Sequence, residues 1–158
     1  MAASTTQTEV MIIGAGPTGL SLACQLIRYG IDFVIIDSKE NITPFSKALG
    51  IHARTLEIYE QLGIAKQAVA QGTIAGKVRL LYADKIRGEF DLSSIGQGMS
   101  SYPYMLVLEQ SKNERLLYDY MQAHGKNVMW QTSLDSFSQT GTQVTAQVKH
   151  ANGQSHIF

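Results

Sequence analysis

Cysteine is nearly absent from the chain. Cys24 is the single one among 158 residues, which excludes an internal disulfide and makes a reducing compartment, the cytoplasm, the expectation. Charge of one sign is not in excess, since Lys+Arg and Asp+Glu both total 13. That balance leaves no basic surplus for a nucleic-acid partner and no acidic tail. No apolar run approaches the length of a membrane span. The opening MAASTTQTE lacks both a basic region and an apolar core, so it does not read as a secretory signal; residues 1–8 are expected to form a polar, disordered end. The four histidines, His52, His124, His150 and His156, are scattered, and none is spaced with a second metal ligand. Internal repeats and low-complexity segments are also missing.

What is present is a globular composition, 44% hydrophobic, with clear changes of period. Val10–Ile13 is a short apolar run bounded by glycine, which suits a strand buried on both faces. A helix follows over Pro17–Tyr29, with Leu20, Ala23, Cys24 and Ile27 at helical spacing, Pro17 in the first turn and Gly30 placed to end it. FVIID, Phe33–Asp37, reads as a second buried strand closed by a carboxylate. Together these form a βαβ unit. After a polar loop over Asn41–Leu49, ARTLEIYEQLG reads as a helix stopped by Gly63, and Ile64–Gln71 as a shorter one stopped by Gly72. KVRLLYADKIRGEFDL alternates on either side of Ala83-Asp84, as a hairpin does. GQGMSSYP is a loop. Ser111 and Glu114 have the S-x-x-E spacing of a capping box, ahead of a helix that ends at Gly125. NVMWQ reads as a short strand. SLDSFSQ and QVTAQVKH read as an antiparallel pair about Thr140-Gly141, and Asn152-Gly153 as a further hairpin turn.

The chemistry-bearing stretch is VMIIGAGPTGLSLACQL. Gly14, Gly16 and Gly19 fit G-x-G-x-x-G between an expected strand and an expected helix, the setting in which that spacing means a dinucleotide. The first glycine allows the tight turn, the second lets the pyrophosphate approach the backbone, and the third lets helix and strand pack closely. The phosphate charge would meet free N–H groups and the positive end of a helix. Asp37 ends the second strand, where a carboxylate accepts from a ribose diol and disfavours a 2′-phosphate. The pattern therefore fits NAD or the adenosine half of FAD. The same spacing in a turn that only packs helix on sheet is the structural alternative.

Three blocks in order, VMIIGAGPTGLSLACQLIRYGIDFVIID, SKALGIHARTLEIYEQLGI and YPYMLVLEQSKNERLL, resemble the FAD-dependent aromatic hydroxylases, flavoprotein monooxygenases of the phenol and p-hydroxybenzoate hydroxylase type. The resemblance implies an α/β fold: a Rossmann-like, glutathione-reductase-like FAD-binding βαβ unit, an antiparallel meander, and a β hairpin from the substrate side. It implies that Gly14, Gly16 and Gly19 meet the pyrophosphate and Asp37 the adenosine ribose, with Ala15, Pro17, Thr18 and Ser38 also among the cofactor-binding residues. It further implies that Lys47, which replaces the family's usual arginine, serves the phosphate–ribose region, that Gln110 touches the ribityl chain, and that Leu134 lies near the adenine. Lysine keeps the charge there but loses the planar fork. Glu109 stands where proline is common in the family.

The organisation expected is 1–8 disordered, 9–76 the FAD-binding βαβ unit and following helices, 77–104 a hairpin and loop toward a substrate domain, and 105–158 the rest of an incomplete FAD-binding domain. The strand after Asn152-Gly153 has only Gln154–Phe158 to run and few parallel strands precede it, so the expectation is a truncated, N-terminal portion, with a compact small domain ending in a short edge strand as the alternative; the family's later Asp-Gly and Gly-Asp segments are missing. In the whole family member, NAD(P)H as co-substrate reduces FAD, and O₂ gives a flavin C4a-hydroperoxide that hydroxylates a small phenol-like substrate. The cofactor carries that chemistry while the protein positions it and excludes water. This piece alone is expected to be inactive and to bind FAD weakly, if at all. Exposed surface makes a homo-oligomer an open alternative. Two other readings stand: an NAD-linked dehydrogenase, which requires a second half of parallel strands after Leu62, and a non-catalytic truncated nucleotide-binding module. Among residues with weaker signals, His52 and Arg54 read as structural or solvated, and Cys24 and Trp130 as packing.

Overall fold

A computed structural model describes residues 5–45 and 50–158. In chain order the elements are β1 (Val10–Ile13), α1 (Pro17–Tyr29), β2 (Phe33–Ile36), β3 (Gly50–Ile51), α2 (Ala53–Gln61), α3 (Ala65–Gln71), β4 (Thr73–Ile74), β5 (Lys77–Tyr82), β6 (Lys85–Asp91), β7 (Leu106–Val107), α4 (Gln110–Ala123), β8 (Thr132–Thr140), β9 (Gln143–His150) and β10 (Ser155–Ile157). They fall into two compact units, Met1–Thr43 with Leu117–Phe158, and Pro44–Leu116.

In the first unit, β1 and β2 are parallel, with Val10 opposite Phe33 and Ile13 opposite Ile36. α1 connects them and buries Leu20, Ala23, Cys24 and Leu26, an apolar stripe of the width an amphipathic helix presents to a core. Gly30 ends α1 in the left-handed region, φ 68°, and the Ile31 N–H returns to the Leu26 carbonyl at 3.0 Å. β2 stops at Ile36, so Asp37 stands one residue beyond the strand rather than closing it.

The strand expected over NVMWQ reduces to a single parallel bridge between Ile36 and Met129. Met129 N–H donates to the Ile35 carbonyl at 2.9 Å, and Asp37 N–H donates to the Met129 carbonyl at 3.1 Å. The pairing ends there because Gln131 takes a left-handed turn, φ 53°, and donates its N–H to the Lys39 carbonyl at 2.8 Å. β8, β9 and β10 then form an antiparallel meander. At Asn152-Gly153 the Gly153 N–H donates to the His150 carbonyl and Gly153 is left-handed, φ 87°. This is a type I turn followed by a glycine bulge rather than a two-residue loop. The disordered end expected over 1–8 is tied down from Thr5, which bridges Ile157, and the Thr6 N–H donates to the Ile157 carbonyl at 3.0 Å.

In the second unit, β3, β7 and β4 form a short antiparallel sheet in which Ile51 and Ile74 both face Leu106. α2 and α3 bury Leu56, Tyr59, Ala65 and Ala68. β5 and β6 form the expected hairpin, closed by Ala83 at φ 51° and Asp84 at φ 59°, the two left-handed residues of a type I′ turn. Its apolar side chains, among them Leu81 and Phe90, are exposed.

The capping box is not formed. α4 begins at Gln110, with the Asn113 N–H on the Glu109 carbonyl at 3.0 Å, so Ser111 lies inside the first turn. Among the described residues, parallel pairing is confined to β1–β2 and two isolated bridges. The second half of parallel strands that a dehydrogenase requires after Leu62 is replaced by antiparallel structure. No helix among the described residues is long and apolar enough to cross a membrane.

Candidate cofactor site

The turn between β1 and α1 is built from backbone. Gly14 has φ 105°, a conformation that an L side chain rarely takes, and its N–H donates to the Ile36 carbonyl at 2.8 Å. A Cβ placed on Gly14 or Gly16 would meet nothing within 4 Å. A Cβ on Gly19 would overlap the Gly14 carbonyl oxygen. The three glycines therefore differ in kind: Gly14 sets the turn, Gly16 keeps a surface bare, and Gly19 lets helix and strand meet. α1 opens without a side-chain cap, with Pro17 at its start and Thr18 exposed. Its first N–H groups are directed past the turn with the positive end of the helix behind them.

Asp37 is buried, 9% exposed, and holds the turn from the other side. Its Oδ2 accepts the Ala15 N–H at 2.7 Å, and its Oδ1 accepts the Lys39 N–H at 2.8 Å. The Lys39 ammonium stands 3.6 Å from Oδ2 and 6.0 Å from the centre of the Trp130 ring. Thr132 N–H donates to the Asp37 carbonyl at 2.9 Å, which brings the start of β8 beside the end of β2. A cleft of about 400 Å³ results, lined by Ile13, Gly14, Ile36, Asp37, Ser38, Thr132, Ser133 and Leu134. That volume suits a nucleoside-sized group.

Gly14, Asp37, Ser38 and Leu134 are thus brought together. The Ala15 N–H is taken by Asp37 and is not directed into the cleft. Gln110 lies in the second unit, on α4, where its side-chain amide donates to Glu114 Oε1 at 2.8 Å. Lys47 lies outside the described residues. Thr132, Ser133 and Ile13 line the cleft without having been singled out in the sequence. The local run NVMWQTS carries no signal for Thr132 and Ser133, because their placement depends on pairing with residues more than ninety positions earlier.

The residues with weaker signals fall into structural roles. His52 precedes α2, and its carbonyl accepts the Thr55 and Leu56 N–H groups. Arg54 pairs with Glu57 at 3.0 Å on an exposed face. The Glu57 carboxyl is held below its ordinary range first by the Ser100 hydroxyl at 2.7 Å and then by Arg54. Trp130 packs on Tyr118 with ring centres 5.9 Å apart. Cys24 is buried with its thiol on the Leu117 carbonyl, and burial pushes its pKa up to about 12. A second, shallower cleft of about 280 Å³ at the far end of α1 is lined by the Asp32–Lys126 ion pair, Gly30 and His124; it holds none of the turn's groups. Among the described residues no cluster of His, Cys, Asp and Glu has metal-binding geometry.

Comparison with known proteins accords with this geometry. The chain is 34% identical over 145 residues to an uncharacterized aromatic compound monooxygenase, YhjG, of Bacillus subtilis, covering 92% of this chain and 28% of that protein. It is 34% identical over 143 residues to 6-methylpretetramide 4-monooxygenase of Streptomyces rimosus, covering 89% of this chain and 25% of that protein. Its fold matches the crystal structure of p-nitrophenol 4-monooxygenase PnpA from Pseudomonas putida with a TM-score of 0.86 at 20% identity, over 98% of this chain and 39% of that one. The chain therefore spans between a quarter and two fifths of the length of these relatives. The FAD binding domain family matches residues 7–157, and with nearly the whole length matched, the chain belongs to that family.

Proposed function

We propose that this chain is the FAD-binding N-terminal part of an NAD(P)H-dependent flavin monooxygenase that hydroxylates a phenol-like aromatic substrate. The observation that carries the reading is the bare glycine turn facing a nucleoside-sized cleft floored by Asp37, in a chain whose relatives bear monooxygenase names. The residues present fit the adenosine half of FAD. Gly16 and the first turn of α1 offer uncapped N–H groups and no side chain in the way of a pyrophosphate. Asp37, already accepting two backbone N–H groups, retains lone pairs on both oxygens for a ribose diol. Ser38 and Leu134 would flank the adenosine, and Gln110 would serve the ribityl chain.

When bound, FAD supplies the redox and oxygen-activating chemistry of such an enzyme. This chain's residues bind and orient the adenosine end, and no proton transfer is assigned to them. The Rossmann-like character of the βαβ unit and the place of the β5–β6 hairpin beside a substrate domain belong to the same reading.

The test has two arms. The isolated chain, titrated with FAD, should bind it weakly and show no steady-state hydroxylation. A longer protein that contains this chain should purify yellow, and should consume NAD(P)H and O₂ when given a phenol. A longer protein that stays colourless and cannot be reconstituted with FAD would sink the proposal.

A further inference from the structure

The cleft beside the glycine turn has a charge of the wrong sign for a nucleotide. Of the described residues that line it, Asp37 alone is charged, and it is buried. Its carboxylate is also joined to the turn, through the Ala15 N–H at 2.7 Å. A pyrophosphate carries two negative charges, and this turn is where one is proposed to lie. The uncapped start of α1 attracts such an anion, but an uncompensated carboxylate joined to the same turn repels it.

Lys39 supplies the opposite charge. Its Nζ stands 3.6 Å from Asp37 Oδ2, yet Lys39 does not line the cleft, so the ammonium meets the carboxylate from outside. Residue 39 is clamped on both sides. Its N–H donates to Asp37 Oδ1 at 2.8 Å, and its carbonyl accepts the Gln131 N–H at 2.8 Å. The side chain runs toward Trp130, with Nζ 6.0 Å from the ring centre. Asp37, Lys39, Trp130 and the glycine turn all belong to the first unit. We infer that Lys39 is a specificity-determining residue: its ammonium offsets the Asp37 charge from outside the cleft, so that Asp37 offers acceptors to a ribose diol without repelling the adjoining pyrophosphate. The inference rests on the proposal that the cleft takes the adenosine end of FAD. Lys39 then favours a phosphate-bearing nucleotide over the uncharged nucleoside without touching either.

The test is an NMR titration of the purified, isotope-labelled chain with FAD and with adenosine, following the Ala15 and Ser38 amides, with thermal melting of every variant. K39M should weaken FAD binding about 3- to 10-fold at low salt and leave adenosine binding within about 2-fold. The Lys39 side chain is 39% exposed, so salt reaches it, and the FAD loss should shrink below about 2-fold at about 0.5 M salt. K39R keeps the charge and should keep FAD affinity within about 2-fold. D37N/K39M is neutral again, and its preference for FAD over adenosine should return to that of the unaltered chain, whatever both ligands lose with the acceptor. Where D37N/K39M fails to fold, K39E takes its place and should weaken FAD binding further than K39M. Equal losses for FAD and adenosine in K39M, a loss that persists at high salt, or tighter FAD binding in K39M overturns the role of Lys39. Amides that respond to neither probe in the unaltered chain overturn the parent reading instead.

Discussion

Asp37 Oδ2 accepts the Ala15 N–H at 2.7 Å, joining two residues 22 positions apart. The carboxylate at the end of β2 therefore shapes the glycine turn as well as flooring the cleft. Because Ala15 is fully buried, its N–H has no water to replace a lost acceptor.

Asp37→Ala should lower stability by about 1–3 kcal/mol, the cost of leaving a buried donor unpaired. For a chain of this size that is a fall in Tm of about 3–10 °C. Asp37→Asn should fall between, since its one oxygen serves only one of the two N–H donors. Thermal melts by circular dichroism decide it, and an unchanged Tm for Asp37→Ala would show that the tie contributes nothing.

Gly16→Ala and Gly19→Ala should separate binding from folding. A Cβ at Gly16 meets nothing within 4 Å and its φ is −86°, so Gly16→Ala should melt within a degree or two of the parent while losing FAD affinity. A Cβ at Gly19 overlaps the Gly14 carbonyl oxygen, so Gly19→Ala should lose about 2 kcal/mol or more, as overpacked sites do. Equal melting of the two variants would contradict this division of roles.

Cys24 should be inert in the folded chain. Its pKa rises to about 12 through burial, above the value of about 8.5 in an unfolded chain. The resulting stabilisation is complete below about pH 8.5 and is lost as the pH climbs toward the folded value. Iodoacetamide at pH 8 should alkylate Cys24 at least about a hundred-fold more slowly in buffer than in denaturant, because the thiolate is the reactive form. Comparable rates in the two conditions would mean that the thiol is not held in the core.

The hairpin turn offers a gain of stability. Ala83 and Asp84 both occupy the left-handed region, which disfavours alanine most. Replacing them by Asn-Gly, the pair preferred in type I′ turns, should strengthen the β5–β6 ladder by about 0.5–1 kcal/mol. Slower amide exchange at Leu81 and Ile86 is the expected sign, and exchange that is unchanged or faster would speak against the turn type.

Much of this fold was legible because its signals are local. Pro17 and Gly30 bracket α1 as read, and Ala83-Asp84 closes the hairpin as read. Of two places where the reading failed, one was decided by a distant residue and one within a single helix turn. The NVMWQ run has a strand's composition, yet Gln131 turns away to Lys39 and leaves one bridge. Ser111 and Glu114 have capping-box spacing, yet Glu114 is buried beside Gln110 and the helix begins two residues earlier than that box would start it. Within the site, the glycines and Asp37 were visible as a spacing, whereas the tie from Asp37 to Ala15 and the contribution of Thr132 and Ser133 arise only when chain segments far apart in sequence meet.

The pairing of Ile36 with Met129 also bears on the order of events in time. The hairpins β5–β6 and β8–β9 close loops of a few residues and can form early, whereas joining positions 36 and 129 closes a loop of more than ninety residues, a slower and entropically dearer step. The wall of the cleft opposite the glycine turn hangs on that closure. We expect the nucleoside site to be among the last parts of the chain to mature during refolding, so that a nucleotide added at the start would act on the final step rather than on the first collapse. Stopped-flow refolding with and without FAD, read at early and late times, would show it.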